Sequence, residues 1–128
     1  MVIRFYPGAD GGPSALEHPG SLSNELFDAT QLQQFQDALA EQRRFRLEQL
    51  RQLGEPATAD PLSEVTAALR AAASAALAEI DAALDRLRDG SYGRCLRCGR
   101  PELAARLEIL PAAALCMPCQ HAAESPVR

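Results

Sequence analysis

Residues 91–120 read S-Y-G-R-C-L-R-C-G-R-P-E-L-A-A-R-L-E-I-L-P-A-A-A-L-C-M-P-C-Q, from Ser91 to Gln120. All four cysteines of the 128-residue chain fall here, as Cys95-x-x-Cys98 and Cys116-x-x-Cys119, with seventeen residues between the pairs. That spacing marks a four-thiolate zinc site. Each pair forms a tight knuckle offering two sulfurs to one ion, and the gap lets two knuckles close a tetrahedron. Gly99, directly after the second cysteine, suits a knuckle because the chain there often needs positive φ. Three other readings compete. Disulfides need an oxidising compartment, and Met1–Tyr6 is too short an apolar stretch for a signal segment before Pro7-Gly8. A thioredoxin-like redox pair needs one C-x-x-C on a βαβ unit, and neither pair here has strand patterning beside it. Chance rarely places every cysteine of a chain in two matched pairs. One structural Zn²⁺ held by Cys95, Cys98, Cys116 and Cys119 is expected, since four sulfurs leave no open position for catalysis.

Outside that stretch the pattern is helical. A stripe of Leu32, Phe35, Leu39, Leu50 and Leu53 follows a possible cap at Thr30 with Gln33 reaching back, or an earlier start near Ser23. Gly54 and Pro56 should end this helix, giving a rod of about 35 Å. After a short turn, Asp60 is expected as N-cap and Pro61 as the first residue of a second helix reaching Asp89, with Gly90 as its stop. Leu62, Val65, Leu69, Ala72, Ala76, Ile80, Ala83 and Leu87 recur at steps of three and four, the seam of a coiled coil. Two helices of matched length across a short turn predict an antiparallel hairpin. A further short helix is expected from Pro101 to about Leu110. His121, two residues past Cys119, is surplus to a four-sulfur site.

The expected fold class is therefore mainly α: a long antiparallel coiled-coil hairpin on a small C4 zinc-finger base. Its division is a Gly/Pro/Ser-rich mobile tail over 1–23, the hairpin over 24–89, the finger over 90–121 and a tail over 122–128. At 128 residues, with aromatics at 5%, one domain with a thin core is expected, stabilised largely by helix pairing and metal. No apolar run is long enough to span a membrane, and a cytoplasmic monomer is expected. The formal charge of -4 argues against generic binding to a phosphate backbone. Arg94, Arg97, Arg100 and Arg106 make the finger look basic, but four thiolates on one Zn²⁺ add about two negative charges and cancel the excess. All basic side chains except the histidines are arginines, which favour planar, bidentate pairing.

The run Tyr92-Gly93-x-Cys95-x-x-Cys98-Gly99, with Pro101, Arg106-Leu107-Glu108, Pro111 and Cys116-x-x-Cys119-Gln120, resembles the C4 zinc finger of the DksA/TraR family. The resemblance runs without a gap from about Ile80 to Gln120 and includes positions other than cysteine. It implies a bacterial regulator that binds RNA polymerase itself and reaches into its secondary channel with the hairpin, without recognising DNA sequence. The family's tip carries an acidic motif, D-x-x-D-x-A. Here the turn reads Asp60-Pro61-Leu62-Ser63-Glu64-Val65, so Asp60 matches the first acid while Ser63 and Val65 replace the second acid and the alanine. Glu55 and Glu64 keep the tip acidic. Some members help to bind guanosine tetraphosphate through basic side chains. Leu110 and Gln120 stand at two of those positions here and Arg106 keeps another, so nucleotide synergy is not expected. Two other classes remain: an adaptor whose coiled coil binds a different protein, and a thiol or metal enzyme. The last is disfavoured because no His, Ser or acid cluster accompanies the cysteines.

Overall fold

The computed structural model describes residues 22–54 and 62–124. Four helices follow in order: α1 Ala29–Leu53, α2 Ser63–Asp89, α3 Ala104–Ile109 and α4 Met117–Glu124. The two long helices pack along one another as a hairpin, and α3 and α4 belong to the segment that carries the cysteines. No helix among the described residues is long and apolar enough to cross a membrane.

Helix α1 is capped two residues earlier than Thr30. Asp28 accepts from Gln31 N at 2.8 Å, while the Gln31 side chain accepts from Asp28 N at 3.0 Å. This is a reciprocal capping box, with Asp in place of the expected Thr. At the other end Gly54 stops the helix with φ 63°, as expected. The carbonyls left open there are met from across the hairpin: Arg70 Nη1 donates to Leu50 O at 3.0 Å and to Gly54 O at 2.8 Å. Helix α2 starts at Ser63 with Leu62 at its N-cap position and no side-chain cap. The expected cap at Asp60, with Pro61 after it, lies outside the described residues. Its C-terminus is fixed firmly. Gly90 takes the left-handed conformation at φ 87°, and the N–H groups of Gly90, Ser91 and Tyr92 all point to Arg86 O at 3.0–3.2 Å.

The hairpin core sits at its base. Leu32, Phe35 and Leu39 of α1 meet Ile80, Ala83 and Leu87 of α2, with Tyr92 and Leu107 closing the cluster from the finger. Towards the tip the expected seam fails. Leu62, Val65, Leu69 and Ala72 are exposed, and the residues turned inward are instead Thr66, Arg70, Ala73 and Leu77. The reason is visible in the spacing. Counting back from Leu87, a strict seven-residue step gives Ile80, Ala73 and Thr66, whereas the expected stripe takes two steps of four in succession, from Ala72 through Ala76 to Ile80. Two such steps rotate the apolar stripe off the partner-facing side. The distal half then relies on small residues and on Arg70, while nearer the base Arg43–Asp81 at 2.7 Å is a half-exposed pair of the kind that contributes little.

This arrangement predicts unequal costs for two similar substitutions. Leu39→Ala removes a fully buried side chain and should lower unfolding stability by about 2–5 kcal/mol. Leu69→Ala should stay within about 0.5 kcal/mol, because its side chain already meets water. Denaturant unfolding of the zinc-loaded protein measures both, and equal costs would restore the seam read from sequence.

Candidate metal centre

The finger begins where α2 ends. After Gly90 the chain turns through Tyr92 and Gly93 into a short two-stranded tie, an antiparallel bridge between Arg94 and Pro101. Cys95 N donates to Arg100 O at 2.9 Å and Glu102 N donates to Gly93 O at 2.7 Å, so residues 94–102 are held as a knuckle. For that reason Pro101 does not open a helix as expected; α3 begins only at Ala104. The second pair is presented differently. Cys116 precedes α4 and Cys119 lies in its first turn. Leu96 N donates to Ala114 O at 2.8 Å, which joins the two knuckles through the backbone.

The sulfurs of Cys95, Cys98, Cys116 and Cys119 all lie within 4.8 Å of one another, and none is in a disulfide. Cys98 Sγ and Cys116 Sγ are 3.7 Å apart. Four sulfurs at Zn–S ≈ 2.3 Å on a tetrahedron lie about 3.8 Å from each other, so the donor set fits one structural Zn²⁺. The N–H groups of Arg97 and Cys98 point at Cys95 Sγ at 3.4 and 3.5 Å, as a negatively charged sulfur requires. Burial opposes ionising Cys95, yet hydrogen bonds from the backbone of Cys116, Cys98 and Arg97 and from the Cys119 thiol outweigh it and draw this thiol down to about 6. Cys119 moves up to about 12, since its hydrogen bond to Cys116, burial and its contacts with Cys95 and Cys98 favour the neutral thiol. The crowding that raises Cys119 is the repulsion of neighbouring sulfurs, and a divalent cation among them would offset it. His121 lies on α4 outside the cluster.

Behind the knuckle stands Tyr92, fully buried, with its hydroxyl donating to Pro111 O at 2.7 Å. Its ring lies 5.2 Å from Phe35 and 6.3 Å from Phe27, and burial pushes its hydroxyl well above the usual range. Asn24 Nδ2 donates to Tyr92 O at 2.8 Å and Gly90 O at 3.2 Å, fastening the segment before α1 onto the same corner. Arg86 and Glu102 are buried beside it, and burial pushes the Glu102 carboxyl up against the opposing pull of Arg106 and Arg86. Arg86 Nη2, Glu102 Oε1 and Arg106 Nε each lack a hydrogen-bond partner. Sequence reading placed Arg106 on the finger surface. It is half-buried there, with Nη2 donating to Leu115 O at 3.3 Å and Nη1 to Met117 Sδ at 2.8 Å. Tyr92 and Gly93 were legible as motif positions, whereas the roles of Asn24 and Arg86 lacked any local signal.

A helical hairpin closed at its foot by four converging thiols defines a small C4 zinc-finger protein. Residues 90–125 match the prokaryotic dksA/traR C4-type zinc finger. The structure is similar to that of transcription factor DksA2 from Pseudomonas aeruginosa, with 29% identity, a TM-score of 0.58, and coverage of 76% of this chain and 85% of that one. No curated protein matches the chain. Residues 90–125 therefore carry a zinc finger of the dksA/traR C4 type, in a chain whose structure is similar to that of DksA2.

One Zn²⁺ per chain is the expected metal content of freshly purified protein, and Cys98→Ser with Cys116→Ser should abolish it. On chelation, hydrogen exchange should rise across 90–124 before it rises in the hairpin base, because α1 and α2 contain no sulfur ligand. Retained zinc in the double variant would remove the assignment. Gly93 and Gly99 provide a second check. A Cβ at Gly93 (φ 97°) would sit 2.5 Å from Phe27 Cε2, whereas at Gly99 (φ 78°) nothing lies within 4 Å. Gly99→Ala should cost about 1 kcal/mol from backbone strain alone, and Gly93→Ala about 2–4 kcal/mol because the Phe27 ring must also move. Thermal melts of zinc-loaded variants compare them.

Proposed function

We propose that this protein is a non-enzymatic, cytoplasmic regulator of transcription that binds RNA polymerase through its secondary channel. The hairpin is the probe and the finger is the base that docks. The observation that carries the reading is the combination, in one chain, of a dksA/traR finger and a hairpin similar to that of the transcription factor DksA2. A globular surface cannot reach a recessed site, and a two-helix rod about 40 Å long can. The four thiols are committed to one another in a closed set, which leaves no nucleophile for chemistry.

Asp60, Glu55 and Glu64 form the proposed polymerase-directed tip. Glu64 is exposed in the first turn of α2, while Asp60 and Glu55 lie outside the described residues. Guanosine tetraphosphate is not part of the proposal. Leu110 is a half-exposed aliphatic side chain, Gln120 donates to Glu124 at 2.6 Å, and Arg106 is engaged by Leu115 and Met117. A second reading, an adaptor for a different protein, is favoured by the exposed stripe of Leu62, Val65 and Leu69. Such a stripe is the ordinary mark of a protein contact.

The test is binding to core RNA polymerase alongside promoter-specific transcription in vitro. Asp60→Asn should leave affinity within about threefold, since one exposed charge is worth under ~1 kcal/mol, and should weaken the effect on initiation. Ser63→Asp should strengthen that effect. If all three proteins bind and transcribe alike, the tip acids carry no function. If none binds polymerase, the adaptor reading stands.

A further inference from the structure

A groove of about 580 Å³ runs between the side of α2 and the chain after α3. Its walls include Ile80, Leu96, Ile109 and Leu110, and Arg46 and Arg86 line it as well. Leu96 is 63% exposed, Ile109 77% and Leu110 49%, an unfavourable grouping of large aliphatic side chains about one depression. The volume is that of a small-molecule site, with apolar walls and a few polar groups that fix orientation.

Arg86 supplies the second, independent observation. It is 8% exposed, it lines the groove, and its Nη2 finds no hydrogen-bond partner. Glu102 is buried near enough to feel the Arg86 charge, yet no hydrogen bond reaches Nη2. A buried guanidinium nitrogen left unbonded is costly, and a carboxylate is the group whose geometry matches it best. Arg46 is held by Gln49 at 3.0 Å through Nη1, and one acid, Glu79, also lines the groove. Two arginines and one glutamate line the depression, with the buried Glu102 offsetting part of the Arg86 charge.

We propose that this groove is a binding site for a small amphipathic carboxylate: an apolar chain lying between Leu96, Ile109, Leu110 and Ile80, and a single anionic head on Arg86. A polyphosphate is the wrong class, because the walls offer it hydrocarbon and a glutamate where it needs several cations. The site goes beyond the polymerase reading and is tested without polymerase.

The probe is decanoate, titrated into zinc-loaded full-length protein and followed by ¹H–¹⁵N NMR, with decyltrimethylammonium as the probe of equal chain length and opposite charge. Decanoate should bind with Kd on the order of 100 µM, as ligand efficiencies for about twelve heavy atoms imply, and shift resonances at 96 and 109–114. Leu110→Glu should weaken it at least tenfold without unfolding the protein, since this side chain is half-exposed. Arg86→Met should abolish the preference for the anion; should that variant not fold, the contrast between the two probes on the parent protein carries the head-group assignment alone. Equal binding of both probes to the parent overturns the anionic head, and binding indifferent to Leu110→Glu overturns the location. No shift up to about 5 mM decanoate overturns the site, and protection of 109–114 by polymerase or by another part of this chain would then name what covers it.

Discussion

Everything above and below the junction is tied to one buried ring. Tyr92 packs against Phe27 and Phe35 on the hairpin side, and its hydroxyl reaches Pro111 O on the finger side at 2.7 Å. Neither half could bury this residue alone. The hairpin base lacks a lid without it, and the finger is too small to have an interior. The hydroxyl must be bonded because it is out of water, and the partner it finds belongs to the loop between the knuckles. Metal binding and helix pairing thus share a residue, which couples the order of the finger to that of the hairpin base.

Stability is distributed unevenly along the rod. At the base, aliphatic and aromatic side chains interlock. Past Ala73 the interface thins to small residues, and Arg70 reaches across to the last carbonyls of α1. Such a long cationic side chain lays its hydrocarbon stem over the apolar seam and ends on acceptors that would otherwise face water. Opening of the far end is therefore expected to be easier than opening of the base.

Much of this was legible in the residues. The cysteine spacing announced a four-sulfur cluster, and Gly54 and Gly90 marked the helix ends because each takes a conformation that side chains resist. The errors share a cause. The Thr30 cap, the Pro101 helix start and the stripe through Leu62, Val65 and Leu69 each rested on a local rule. Asp28 won the cap because its partner Gln31 was equally placed. Pro101 was taken into a bridge with Arg94 because the knuckle needs its chain doubled back. The stripe departed because a step of four after another step of four rotates a helix face, and the partner stayed with the seven-residue step. The corner made by Asn24 depends on segments far apart in sequence, which no window of residues displays.

The length of the hairpin against the shortness of its core has a mechanical consequence. The buried α1 residues run only from Leu32 to Leu39, about 10 Å of helix, while the described part of α1 extends some 37 Å. A lever of those proportions magnifies error: a slip of half an ångström at the core becomes nearly 2 Å at the far end. The aim of the tip is therefore set by the tightness of the corner around Tyr92, Gly93 and Phe27, where a single methyl group has no room. A chemical change confined to the foot of the molecule would redirect its opposite extremity without altering a residue there.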